Sequence, residues 1–128
     1  MSDVFPDFVR RGLMRRFRHA AMVVHFGYED ENIAMQDAGI DAVHQTIREL
    51  DAFGPDARLA LVPLLDDQDQ GVRVYAARHL LGLMPDRALE ALKDICCRDR
   101  SRARWTAAEF LDKYEKGELK ISRWPKPR

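Results

Sequence analysis

Apolar residues return at three- and four-residue intervals along almost the whole chain. Phe5, Val9, Leu13, Phe17, Ala20 and Val24 share one face of a first segment, with Arg11, Arg15 and Arg18 opposite. That period belongs to a helix with one buried stripe. Ser2 or Asp3 is the expected cap at its start and Gly27 the expected end. A second stripe is Ile33, Ile40, Val43, Ile47 and Leu50, with Asp30 and Glu31 placed to favour its N-terminal end. Gly54-Pro55 closes that segment and opens a third, over residues 55–65. A fourth follows Asp69 as N-cap and reaches Met84. Pro85-Asp86 opens a fifth that ends near Arg98, and a sixth is capped by Ser101 and stops at Gly117. No run alternates as a strand would. The predicted class is all-α, with residues 1–117 as one domain and 118–128 as an extended basic tail.

An internal repeat organises the second half. Shifted by 31 residues, Ala57, Ala60, Leu61, Leu64 and Leu65 fall on Ala88, Ala91, Leu92, Ile95 and Cys96. Val72, Arg73, Ala76, Ala77 and Leu80 fall on Ala103, Arg104, Ala107, Ala108 and Leu111. Two helical hairpins of one design therefore follow each other. Small Ala pairs let helices approach, and the leucines fill the layer between them. In the fourth segment Val72, Val74, Ala76, Ala77, Leu80, Leu81, Leu83 and Met84 cover more than half the circumference. Tyr75, Arg78, His79 and Gly82 are left as the expected outward strip. So broad a face predicts a helix in the middle of a stack, touched on several sides.

The stretch with Pro63, Asp67 or Asp69, and Val72-Arg73, followed by the Ala-Ala and Leu positions, resembles the HEAT and armadillo-like helical repeats. The likeness is specific over residues 59–83. It is looser over 88–111, where Cys97 and Arg98 replace the turn acids, and it does not cover the first two segments. The resemblance implies an α-α superhelix, a short HEAT-like stack of about three hairpins and six helices. It also implies that Arg73 and Arg104 pair with turn acids of the same or the next repeat. The whole chain also looks like small bacterial six-helix proteins grouped as a domain of unknown function, which implies the fold and no activity.

Composition narrows the classes further. With 128 residues, 46% of them hydrophobic, one domain with a real core is expected. Lys+Arg and Asp+Glu both number 21, so no net charge draws the chain to nucleic acid or anionic lipid. Cys96 and Cys97 are adjacent, close no useful loop, and argue for a reducing compartment. There is no bilayer-length apolar run and no secretory h-region, so a cytoplasmic location is expected and a membrane is not.

Candidate chemistry is sparse. Asp41 and His44 form a carboxylate-x-x-His unit with Asp37 one turn earlier, but di-iron bundles need two such units and two more carboxylates. His44 is expected half-buried beside the Ile40, Val43, Ile47 stripe, and no metal is expected. Cys96 aligns with Leu65 as a core position, and Cys97 falls in a turn. There is no phosphate-cradling Gly loop, no G-x-S-x-G and no H-E-x-x-H, so neither an enzyme nor a cofactor is indicated.

The expected function is a non-catalytic protein-interaction module. Its surface comes from the second helix of each hairpin. Tyr75, Arg78 and His79 would centre it, flanked by Asp41, Gln45 and Arg48 from the second segment and Glu109 and Lys113 from the sixth. Another protein or a peptide segment would be the partner. The alternative is nucleic-acid backbone binding through Arg11, Arg15 and Arg18 together with the basic tail, and it predicts steep salt dependence.

Overall fold

The computed structural model describes residues 5–98 and 101–120. Within them the chain forms six helices: α1 (Asp7–Glu29), α2 (Ile33–Asp51), a 3-10 helix (Ala57–Asp66), α3 (Gln70–Leu80), α4 (Pro85–Arg98) and α5 (Ala103–Glu115). The third predicted segment is thus the 3-10 helix, and the fourth, fifth and sixth are α3, α4 and α5. The expected all-α stack is the observed fold.

The first helix starts and ends differently from expectation. Pro6 precedes it in extended conformation without a side-chain cap, and Ser2 and Asp3 lie outside the described residues. Gly27 is inside α1. The helix runs on to Glu29 and closes with Glu31 at φ 54, where the Asn32 N–H reaches the Gly27 carbonyl at 2.8 Å and the Glu31 N–H reaches Tyr28 at 3.2 Å. This is a Schellman closure with glutamate in the left-handed position that glycine usually takes. Asp30 and Glu31 therefore form the connection, and Asn32 caps α2 by accepting from the Met35 N–H at 3.0 Å. Ile33, assigned to the buried stripe, is 71% exposed. It sits in the first turn of α2, before the helix reaches the core.

Gly27 and Gly39 serve close approach instead. A Cβ on Gly27 would meet the Gln36 backbone nitrogen at 2.7 Å, and one on Gly39 the Val24 nitrogen at 2.7 Å. The two helices can lie against each other only because those positions carry no side chain. Leu13, Phe17, Ala20, Val24, Val43, Ile47 and Leu50 fill the seam.

The third segment is helical but tighter than an α-helix. Pro63 has no N–H to donate, and its ring would clash with the carbonyl four residues back in an α-helix. Three-residue bonding suits that constraint. Asp69 then caps α3, accepting from the Val72 N–H at 3.0 Å. α3 is the middle of the stack: it packs on α1, the 3-10 helix, α4 and α5. Gly71, Val72, Val74, Tyr75, Ala76, Ala77, His79 and Leu80 are all buried in it. The outward strip expected there is therefore corrected. Tyr75 and His79 are each only 8% exposed, and Arg78 is half-buried. The expected end at Met84 also moves, since α3 stops at Leu80.

Pro85 opens α4, which buries Ala88, Ala91, Leu92 and Ile95. The Ser101 hydroxyl accepts from the Ala103 N–H at 3.2 Å at the start of α5. The repeat weakens at this end of the stack. Ala103 and Ala107 are buried like Val72 and Ala76, whereas Ala108 is exposed and Leu111 and Cys96 are half-buried. Cys97 is exposed. Arg73 donates to the Leu65 carbonyl (2.8 Å) and to Asp94 of α4 (3.1 Å), joining successive hairpins. Arg104 is exposed, with its guanidinium over the Trp105 ring instead. No described helix is long and apolar enough to cross a membrane.

A groove between three second helices

α2 packs on α1 and the 3-10 helix, while α5 packs on α3 and α4. Between α2 and α5 the chain leaves a groove floored by α3. It consists of two adjoining hollows. The first, of about 290 Å³, is lined by Tyr28, Ile40, His44, Tyr75, Arg78, His79, Thr106, Glu109, Phe110 and Leu119. The second, of about 240 Å³, is lined by His44, Ile47, Arg48, Asp51, Arg58, Arg78, His79 and Lys120. His44, Arg78 and His79 belong to both.

The floor is closely packed. Tyr75 and Phe110 meet edge to face at 5.8 Å between ring centroids. Burial pushes the Tyr75 hydroxyl well above its usual value, and neighbouring Tyr28 and Glu109 add to the effect. Tyr75 is therefore a neutral phenol at any ordinary pH. His79 packs edge-on between Phe17 and His44. Burial above all, then the charges of Arg78 and Arg58 and the nearby His44, drive its imidazole far below its ordinary value. Its ring nitrogens make no hydrogen bond among the described residues.

Two arginines frame the second hollow. Arg58 is 7% exposed and holds Asp51 with two parallel bonds, Nε to Oδ1 at 2.8 Å and Nη2 to Oδ2 at 2.9 Å. It also donates to the His79 carbonyl at 3.3 Å. One guanidinium thus ties the end of α2, the 3-10 helix and the last turn of α3 together. Arg78 has no carboxylate partner among the described residues. Its guanidinium lies 6.0 Å from the Phe110 ring centroid, and Nη2 donates to the main-chain carbonyl of Lys120 at 2.9 Å.

The groove assembles Tyr75, Arg78, His79, Arg48 and Glu109 of the expected interaction surface. It leaves out three others. Asp41 is exposed and lines neither hollow. Gln45 bonds Glu49 and Arg48, and lines a separate hollow between α1 and α2. Lys113 is paired with Glu109 at 2.8 Å. Sequence reasoning missed Tyr28, Phe110, Arg58 and Leu119. The pairing of Tyr75 with Phe110 had a signal in the repeat, because both lie on second helices of successive hairpins. Arg58 and Leu119 had none. His44 lies on the exposed rim, not half-buried, and Asp37 is exposed too. No group of three metal-ligating side chains occurs among the described residues.

The arginine face of α1 is largely matched by acids. Arg11 bonds Asp7 at 3.3 Å, Arg16 bonds Glu49 at 2.7 Å, and Arg18 bonds Asp67 at 2.7 Å. Arg15 is exposed beside Arg16 and His19. Arg123, Lys126 and Arg128 of the basic tail lie outside the described residues.

The fold and groove define a small all-helical stack with a concave face. The chain is similar in structure to the protein RPA1889 from Rhodopseudomonas palustris CGA009, with a TM-score of 0.81 and 22% sequence identity over 92% of this chain and 98% of that one. At that identity the likeness concerns the fold alone. No family model matches the sequence, and no curated protein does.

Proposed function

We propose that this chain is a non-catalytic protein-interaction module built from HEAT-like hairpins, and that it binds its partner in the groove between α2, α3 and α5. The observation that carries the reading is Arg78. It is a half-buried cation without a carboxylate partner among the described residues, set between an aromatic wall and a second hollow. Stacked helical hairpins offer such concave faces to partners, and partly desolvated Arg beside Tyr is the composition that dominates interface energetics. The groove is short and two hollows long, which suits a peptide segment or one narrow face of a protein. Nothing in the geometry favours backbone binding of nucleic acid through Arg11, Arg15 and Arg18, since Arg11 and Arg18 already hold acids.

The burial of Tyr75 and His79 determines the test. Replacing them would disturb the core, so the variant is Arg48→Ala/Arg78→Ala/Glu109→Ala, which leaves the floor intact. The wild type and a variant of matched melting temperature are used as bait in nuclease-treated lysate of the source cell. A protein retained by the wild type and reduced more than about tenfold by the variant, the loss expected when a central Arg is truncated, supports the module. Equal capture by both places any partner elsewhere.

A further inference from the structure

The last described residues enter the groove. α5 ends in a second Schellman closure. Gly117 sits at φ +71, its N–H reaches the Tyr114 carbonyl at 3.1 Å, and the Glu118 N–H reaches Lys113 at 2.8 Å. That reversal turns the chain off the helix axis and back over α3. Leu119 then lines the first hollow and packs on the core, while Lys120 lines the second. Between them, Arg78 takes the Lys120 carbonyl at 2.9 Å.

We infer that the groove is a peptide-docking site whose resident occupant is the chain's own Glu118–Lys120 segment, with an apolar side chain against Tyr75 and Phe110 and a main-chain carbonyl on Arg78. The inference rests on the groove being the interaction surface and adds what it recognises. The chemistry is that of a short peptide that bends at its apolar residue. A branched apolar residue gives selectivity, and a hydrogen bond to the backbone holds any sequence that can follow the same path. His79 supports a polar ligand at the same place. It is nine-tenths buried, faces both hollows, and its ring nitrogens are unbonded among the described residues.

The strap is weakly held. One charge-assisted hydrogen bond and one half-buried leucine keep it down. Attachment to α5 supplies the rest, since a short tether presents its end at an effective concentration on the order of millimolar. A free peptide of the same chemistry must compete with that tethered copy, and its apparent affinity falls by the fraction of time the groove is open.

The test uses full-length protein throughout. A synthetic peptide of residues 116–128 is titrated into isotope-labelled wild type, Leu119→Ser and Leu119→Ser/Arg78→Ala chains, and binding is read from NMR shifts of Tyr75, His79 and Phe110. Melting curves confirm that all three are folded. Leu119 lies beyond the last helix and is only half-buried, so the melting curves of Leu119→Ser are expected to stay close to wild type. The peptide is expected to bind Leu119→Ser about tenfold tighter than wild type. Adding Arg78→Ala should weaken that binding about tenfold or more, and so should a peptide carrying serine at the leucine position. Equal affinity for wild type and Leu119→Ser, or no binding to Leu119→Ser, overturns the inference. Concentration-dependent dimerisation of the wild type that Leu119→Ser abolishes also overturns it, because the occupant is then the segment of a second copy. A partner captured through Arg78 without peptide competition would leave the groove reading standing and sink only the strap. Competition without a captured partner does the reverse.

Discussion

Gly12 and Gly39 sit in facing helices and have opposite environments. Nothing lies within 4 Å of a Cβ built on Gly12, whereas one on Gly39 would meet Val24 Cγ2 at 2.6 Å and Val24 N at 2.7 Å. Gly12→Ala removes the entropic cost of glycine inside a helix and should stabilise the chain by about 0.5–1 kcal/mol. Gly39→Ala gains the same propensity but forces the backbone of α1 away, so a net loss of about 1–3 kcal/mol is expected. Chemical denaturation of the two variants checks both signs. Arg58 is the other residue whose surroundings decide its effect. Asp51→Ala takes from the buried guanidinium its two bonds to Asp51. Removing one partner of a buried pair costs about 3–5 kcal/mol, and the low end is expected because Asp51 is partly exposed. A loss below about 1 kcal/mol would show that water replaces the carboxylate readily. Neither the approach of Gly39 to Val24 nor the Arg58–Asp51 pair was legible in the sequence. Both depend on where a helix returns in space, and a glycine or an arginine reads the same at an exposed site.

At the scale of elements, periodicity carried most of the information. α1 and α2 lie along the apolar stripes, and α4 and α5 lie where the turn residues and the 31-residue repeat placed them, because each buries one face and leaves the other polar. α3 is the instructive case. Its apolar excess correctly marked it as the middle helix, but the polar remainder was read as an outward strip. A helix enclosed by four neighbours has no outward strip. Tyr75 buries its ring and keeps only its hydroxyl near Tyr28, and His79 is carried inside as a neutral imidazole. Tyr75, Arg78 and His79 line the groove from its floor and do not project outward. The third segment is helical as expected, and it takes the 3-10 form because Pro63 lacks a donor and its ring clashes in an α-helix. Leu80 tests the central position of α3. It is fully buried at the core of the stack, so Leu80→Ala should lower stability by about 2–5 kcal/mol. Leu111 occupies the equivalent place in α5 at the edge, half-buried. Leu111→Ala should cost less than half as much. Equal losses would mean that α5 is as enclosed as α3 and that the stack does not end there.

For the whole molecule, the enclosed His79 couples folding to pH. In the unfolded chain it takes up a proton below about pH 6.5. In the folded chain burial, Arg78, Arg58 and His44 keep it neutral far below that value. The unfolded state therefore binds more protons as pH falls, and stability must decline with it. The contribution is fully present well above pH 6.5, and about 1.4 kcal/mol of it is gone one unit below that value. The surface pair of Glu49 acts in a separate window. The Arg16 bond, and then Gln45, lowers its carboxyl from 4.5 to about 2, so its contribution is present above about pH 4.5 and disappears towards pH 2. It is exposed and worth at most about 1 kcal/mol. The His79 window can be isolated, above that of Glu49, by urea titrations of wild type and His79→Leu at pH 7.5, 5.5 and 4.5. Wild type should lose stability already between pH 7.5 and 5.5, and His79→Leu should lose about 1.4 kcal/mol less over that interval. Parallel curves for the two proteins would mean that His79 is protonated in the folded state. That would in turn require the groove floor to open to water, and a floor that opens could not hold Arg78 and Tyr75 in the fixed arrangement on which peptide recognition depends.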